Sequence, residues 1–360
     1  MSATSKRRPV LHGVTVLSLL AGSAYLTVEL RKDEQAKAPA VQNITDIPHL
    51  RSGFARTAGA QDWERLRNPD RSVLRTGDGD IVATFTDGAR TATLTGPSRT
   101  FDEPANTSSR VVTQNWVRLM PEVWTEGAEK EQWFKDWFKE YHGSERDDLF
   151  AIAFQYVEGA PVRTDDEGVP YAGDADYGPL NPNGDEGEAP RLEESDFYDY
   201  LGIPYTFRDG TTKKPEAARH RSIDCSGYIR TVFGYRGGYP LTAPDGTGAG
   251  LPRTADGMAR STAGVDIIEL SGPAPHYERP KSLSVLRLQP GDLVFFKTES
   301  RSESRLDHIG MYLGPDTQGH RIFISSRKEV NGPTMGDEGG TSRLDGNGYY
   351  ATALRSAKRL

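Results

Sequence analysis

The chain has 360 residues, with 44 basic against 51 acidic side chains and a formal net charge of −7, so a basic grip on nucleic acid or on an anionic membrane is not its main business. Hydrophobic residues make up 36% and charged residues 26%, enough apolar material for one or two domains, while 38 Gly and 23 Pro favour long ordered loops over a helical bundle or coiled coil. A single cysteine, Cys225, excludes an intramolecular disulfide framework and any multi-cysteine zinc or iron–sulfur site.

At the N-terminus, Lys6, Arg7 and Arg8 precede an apolar run from Val10 to Val28, which Glu29, Arg31, Lys32 and Asp33 end. Ala21, Ser23 and Ala24 offer the small side chains that a signal peptidase needs. Residues 1–30 are expected to be an export signal, with an uncleaved membrane anchor as the competing reading, and residues 31–60 a polar linker. The protein is then secreted or held at the cell envelope, and meets a membrane only if that segment is uncleaved.

Residues 61–142 read as a smaller β-rich or α+β region of unknown role. Ile81 to Thr86, the Asp87-Gly88 turn and Arg90 to Thr95 have the alternation of a hairpin. All five tryptophans lie here, and Trp133, Phe134, Trp137, Phe138 and Tyr141 recur at helical spacing, as on a helix face docked on a core; a sugar-stacking surface is the sharper alternative. A helix is expected within Asp147 to Glu158, followed by an acidic, Gly- and Pro-rich insertion at about 162–196 that reads as a solvated loop.

Cys225 follows Asp224, a good N-cap type, and Ile229, Val232 and Phe233 share one helical face, so a helix should begin beside the cysteine. A thiol at a helix N-terminus is expected to have a lowered pKa, and the Cys225 amide is placed to bind a developing oxyanion. Of seven histidines, His308 stands out. It opens an apolar strand, paired as a hairpin with Leu293 to Phe296, and Arg321 to Ser326 supplies a third strand. The Gly246 to Gly250 stretch reads as a loop beside the cleft and lacks the strand and Lys-Ser or Lys-Thr of a phosphate cradle.

Four motifs occur together: Asp224-Cys225-Ser226-Gly227, Leu251-Pro252-Arg253-Thr254, Pro290-Gly291-Asp292-Leu293-Val294-Phe295-Phe296 and His308-Ile309-Gly310-Met311-Tyr312-Leu313-Gly314. In order and rough spacing they resemble the NlpC-type cysteine peptidases, papain-like peptidoglycan hydrolases, over about residues 145–360. Pro204-Tyr205 resembles the family's Pro-Tyr element, and Tyr349 to Leu360 its closing strand.

The resemblance implies an α+β, papain-like catalytic domain at 143–360, with a nucleophile helix packed on an antiparallel sheet. It implies Cys225 as nucleophile and His308 as general base and then acid. Tyr205, Asp224 and Ser226 are the implied substrate contacts, and no metal or other cofactor is called for. The family's third polar residue, often His, Asn or Gln, falls at Ser325, a departure that leaves Ser326, His320 or a main-chain carbonyl as other candidates to orient the imidazole. The usual Trp-Gly-Gly after Pro-Tyr is replaced by Thr206-Phe207-Arg208-Asp209-Gly210. The implied partner is a peptidoglycan stem peptide, cut between D-glutamate and the diamino acid. An amidase or acyltransferase on another substrate, or a weakly active wall-binding protein, stays open, as does the oligomeric state.

Overall fold

The computed structural model describes residues 61–182, 191–243, 250–274, 276–299 and 305–360. The expected export segment, the linker and most of the Gly246 to Gly250 loop lie outside the described residues.

Five strands come first: β1 (Gln61–Leu66), β2 (Arg71–Thr76), β3 (Ile81–Thr86), β4 (Thr91–Asp102) and β5 (Arg110–Leu119). They form an antiparallel meander in the order β1-β2-β3-β4-β5. The β3–β4 hairpin turns at Asp87-Gly88, where Gly88 takes φ +82°, a conformation that glycine adopts without steric cost. Helix α1 (Gln132–Tyr141) lays Phe134 and Trp137 on this sheet, with the Phe134 ring 5.2 Å from Phe85 and 5.1 Å from Trp124. The aromatic stripe is thus a helix face docked on a core, and Trp63, the most exposed of the tryptophans, stacks on the buried Trp124 at 5.7 Å.

Helix α2 (Leu149–Ala153) follows, capped by the Asp148 side chain. The acidic stretch then contains a small ribbon, β6 (Arg163–Thr164) with β7 (Pro170–Ala172), and leads to α3 (Phe197–Leu201). Next come the two-stranded hairpin β8 (Tyr205–Thr206) and β9 (Thr212–Lys213), then α4 (Cys225–Ile229), which widens into a π-helical segment at Arg230–Arg236. Helix α5 (Ala255–Arg260) and strand β10 (Val265–Ile268) precede β11 (Leu293–Phe296), β12 (His308–Pro315), β13 (Arg321–Arg327) and β14 (Gly332–Thr334). The chain closes with α6 (Tyr349–Ala353) and β15 (Leu354–Arg359), so the expected closing strand starts only at Leu354, after one helical turn.

These strands make a six-stranded sheet, β10-β15-β11-β12-β13-β14, whose pairs are antiparallel. On one face Leu293, Phe295, Ile309, Met311 and Ile324 share a core with Ile223, Ile229, Val232 and Phe233 of α4 and its flanks. The opposite face holds Val294, Phe296, Tyr312, Phe323, Tyr350 and Leu354. Because side chains alternate along a strand, this division fixes which neighbours His308 and Ser325 meet.

The meander and the six-stranded sheet pack against each other. Leu360 O accepts from Arg90 N (2.8 Å) and Thr91 N (2.5 Å), and Val111 and Val117 sit in the same core as α4. Arg359, ion-paired to the fully buried Asp292 at 2.7 Å, also donates to Thr86 Oγ1 at 2.6 Å.

Candidate active site

The Cys225 backbone sits where a loop turns into α4, and the local sequence dictates that turn. Asp224 is extended and caps the helix by accepting from Gly227 N at 2.7 Å. Gly227 is required for packing: a Cβ there would lie 2.2 Å from Ser195 O. The Cys225 N–H belongs to the first turn, whose amides have no partner within a helix.

Two arginines pin this corner. Arg253 reaches Asp224 Oδ2 with Nη2 at 2.6 Å and Ser226 Oγ with Nη1 at 2.7 Å. Arg230 reaches Asp196 Oδ2 with Nε at 2.9 Å and donates to Leu251 O at 2.6 Å. Glu194 N donates to Asp224 Oδ2 at 2.8 Å, and Ser195 and Asp196 are fully buried. The end of the acidic stretch is therefore not the solvated loop expected from its composition: it is held against the start of α4 by the buried Arg230 and the half-buried Arg253.

Burial sets the chemistry of the thiol. Cys225 is only 6% exposed, and burial pushes its pKa above the ordinary range, with the Asp224 and Glu193 carboxylates acting in the same direction. The expectation of a thiol acidified by its helix end is corrected: desolvation and two nearby anions outweigh the half-charge of a short helix. The resting cysteine is a neutral thiol. Its one polar contact among the described residues is Asp307 O, 4.0 Å from Sγ.

Asp307 is held in turn, its Oδ1 accepting from Thr298 N and Thr298 Oγ1, each at 2.6 Å. The next residue, His308, opens β12 and is 8% exposed. Its imidazole lies 5.3 Å from the Tyr350 ring and 5.8 Å from Phe296. Gly310, two residues on, leaves room for Phe323, whose ring a Cβ would meet at 2.6 Å. Burial, then the charge of Arg327, lowers the His308 pKa to about 3, so the imidazole is neutral across the physiological range.

His308 Nε2 is 3.1 Å from Ser325 Oγ on β13. The register pairs Tyr312 with Phe323, which puts Ser325 and Arg327 on the His308 face. Ser326 points the other way and donates to Ile223 O at 2.7 Å, just ahead of the cysteine. His320 lies elsewhere, with Nδ1 3.0 Å from Asp345 Oδ2.

A cleft of about 780 Å³ opens over Cys225, Asp224 and Ser226, with Asp307 on its wall. Glu193, Glu194 and Asp256 line it together with Lys213, Lys214 and Arg305, so charges of both signs face one space. Tyr205 is not among the lining residues: its ring packs between Phe197 at 4.7 Å and Phe207 at 4.9 Å, and Phe207 does line the cleft. Sequence reasoning missed Tyr177, Glu193 and Lys213, which carry no motif and reach the cleft only through the fold.

A helix that starts at a cysteine and packs on an antiparallel sheet, with a histidine opening a neighbouring strand, is an arrangement of the papain-like kind. Residues 202–353 match the model of the NlpC/P60 family, whose members are generally cell-wall peptidases. Cys225, His308 and Ser325 all fall inside the matched span. A solved structure described as similar to a lipoprotein of the NLP/P60 family, from Staphylococcus aureus subsp. aureus Mu50, is 22% identical, with a TM-score of 0.23. The match covers 44% of this chain and 37% of that one. No curated protein matches the chain.

Proposed function

We propose that this protein is a cysteine peptidase that cuts an amide bond in peptidoglycan stem peptides, between D-glutamate and the diamino acid. The observation that carries the reading is the placement of Cys225 at the start of α4 on the floor of a charged cleft, with His308 and Ser325 joined on the adjoining strands, inside the span that matches the NlpC/P60 family model. A stem peptide bears both carboxylates and amines, and the mixed-charge walls suit such a zwitterionic chain.

In the proposed reaction Sγ attacks the scissile carbonyl carbon while the thiol proton passes to His308. Nε2 is engaged with Ser325, so Nδ1 is the nitrogen that takes it. No hydrogen bond joins thiol and imidazole among the described residues; in the proposed reaction the two come within hydrogen-bond reach only once substrate is bound. The Cys225 N–H binds the oxyanion, and the imidazolium returns its proton to the leaving amine. Water then hydrolyses the thioester by the same base. Asp224 and Ser226, held by Arg253, contact the substrate backbone, and Tyr205 acts from behind by buttressing Phe207.

The test is incubation of purified peptidoglycan with the protein and with Cys225→Ala, followed by mass analysis of soluble fragments. Fragments ending in D-glutamate, absent with the variant, support the proposal. Fragments cut at another amide point to an amidase of the same fold, and none at all oppose hydrolysis of this substrate.

A further inference from the structure

The residue that orients His308 is a serine, and a hydroxyl has one proton to give and two lone pairs to receive with. Ser325 is fully buried, and among the described residues its Oγ meets two groups: His308 Nε2 at 3.1 Å and Arg327 Nε at 3.1 Å. Arg327 cannot turn away. Its Nη1 donates to the carbonyls of Gly336 (3.1 Å), Glu338 (3.1 Å) and Gly340 (2.7 Å), its Nη2 to Ser342 Oγ, and the Tyr350 ring lies 4.6 Å from the guanidinium carbon. What remains is Nε–H, and a guanidinium only donates. One Ser325 lone pair is therefore taken, and the hydroxyl hydrogen is left with His308 Nε2 as its acceptor. In the reverse arrangement, with Nε2–H donating, that hydrogen would be buried without a partner among the described residues, which is costly.

We infer that Arg327 is a positioning residue for His308, acting through Ser325: by donating to Ser325 Oγ it turns the hydroxyl onto His308 Nε2 and holds the resting imidazole in its Nδ1–H tautomer. The inference rests on the reading of His308 as the base only for its consequence. An Nδ1 that already carries hydrogen cannot take the thiol proton, so the resting site is held back until the imidazole adopts the Nε2–H form and Ser325 Oγ becomes its acceptor. The cation of Arg327 also opposes protonation of the ring. The other charged or titratable groups around the imidazole among the described residues are Asp224 from the α4 corner, Tyr350 from α6, Lys328 after β13, and Asp307 beside it in the chain, itself paired with Lys297 after β11.

The test is long-range ¹H–¹⁵N correlation NMR on the full chain labelled at histidine, without substrate, for the wild type, Arg327→Gln and Ser325→Asn, with a pH titration of His308. The wild type should show a protonated Nδ1 and a bare Nε2 at pH 7. Ser325→Asn offers a carbonyl oxygen that accepts from both neighbours, and should switch the ring to Nε2–H and raise kcat. Arg327→Gln should raise the His308 midpoint by about one unit or more, and move the acid limb of kcat/KM with it. A wild-type Nε2–H pattern overturns the inference whether or not the variants fold. So does a folded Arg327→Gln whose tautomer and midpoint are those of the wild type. An Nδ1–H pattern in a protein that does not cut peptidoglycan removes the proposed function and leaves the inference standing.

Discussion

At the scale of single residues, Cys225 and His308 rest as a neutral thiol and a neutral imidazole, each moved from its ordinary pKa first by burial. Iodoacetamide at pH 7 should therefore alkylate Cys225 more slowly than a free thiol, with the rate rising only as the pH passes that of an ordinary cysteine. Faster-than-free alkylation at pH 7 would mean that the carboxylates and the burial around Sγ have been misjudged. For His308 the folded-state value of about 3 lies below the ordinary 6.5. The unfolded chain binds a proton there between those values and the folded chain does not, so this contribution to stability is present above about pH 6.5 and lost as the pH falls toward 3. His308→Gln should narrow the drop in Tm between pH 7 and pH 4; an unchanged drop counts against a buried neutral imidazole. The cap at Asp224 was legible in the sequence because capping is a local matter. The thiol's surroundings were not, because they include the charge of Glu193 and the Ser195–Asp196 segment, distant in sequence and tied to the helix start by two arginines.

At the scale of elements, the orientation of β13 was readable from alternation, which put Ser325 and Ser326 on opposite faces before any contact was known. The structure assigns the first to the imidazole and the second to the carbonyl of Ile223. Ser326→Ala leaves that buried carbonyl without its donor, and should cost about 1–2 kcal/mol in urea unfolding. The corner of α4 is held more strongly. Arg253→Met strands the Asp224 carboxylate beside Cys225, and a loss of about 3 kcal/mol or more is expected from breaking one side of a buried pair. A loss below about 1 kcal/mol would show that solvent reaches Asp224. What the sequence hid here was the acidic insertion: composition alone said solvated loop, and the ion pairs of Arg230 and Arg253 reverse that for its last residues.

At the scale of the whole molecule, the aromatic N-terminal region and the catalytic sheet share a core and a set of backbone hydrogen bonds at Leu360, so they should unfold in one calorimetric transition. Two separated transitions would show that the meander is only loosely attached. Thr86→Val, which removes a hydrogen bond to the buried Arg359, should lower stability by about 1.5–3 kcal/mol although it lies outside the catalytic sheet. The hairpin of that region and the aromatic helix face were legible from periodicity; their docking on the far strand β15 was not, since no local pattern encodes it.

The central claim, that Cys225 attacks a stem-peptide amide, is tested most directly by intact-protein mass spectrometry of the chain quenched in acid during reaction with a defined stem peptide. A mass increase equal to the acyl half of the substrate, absent in Cys225→Ala and located at Cys225 by peptide mapping, is the predicted result. Hydrolysis that proceeds equally in Cys225→Ala, with no adduct on the wild type, would contradict it.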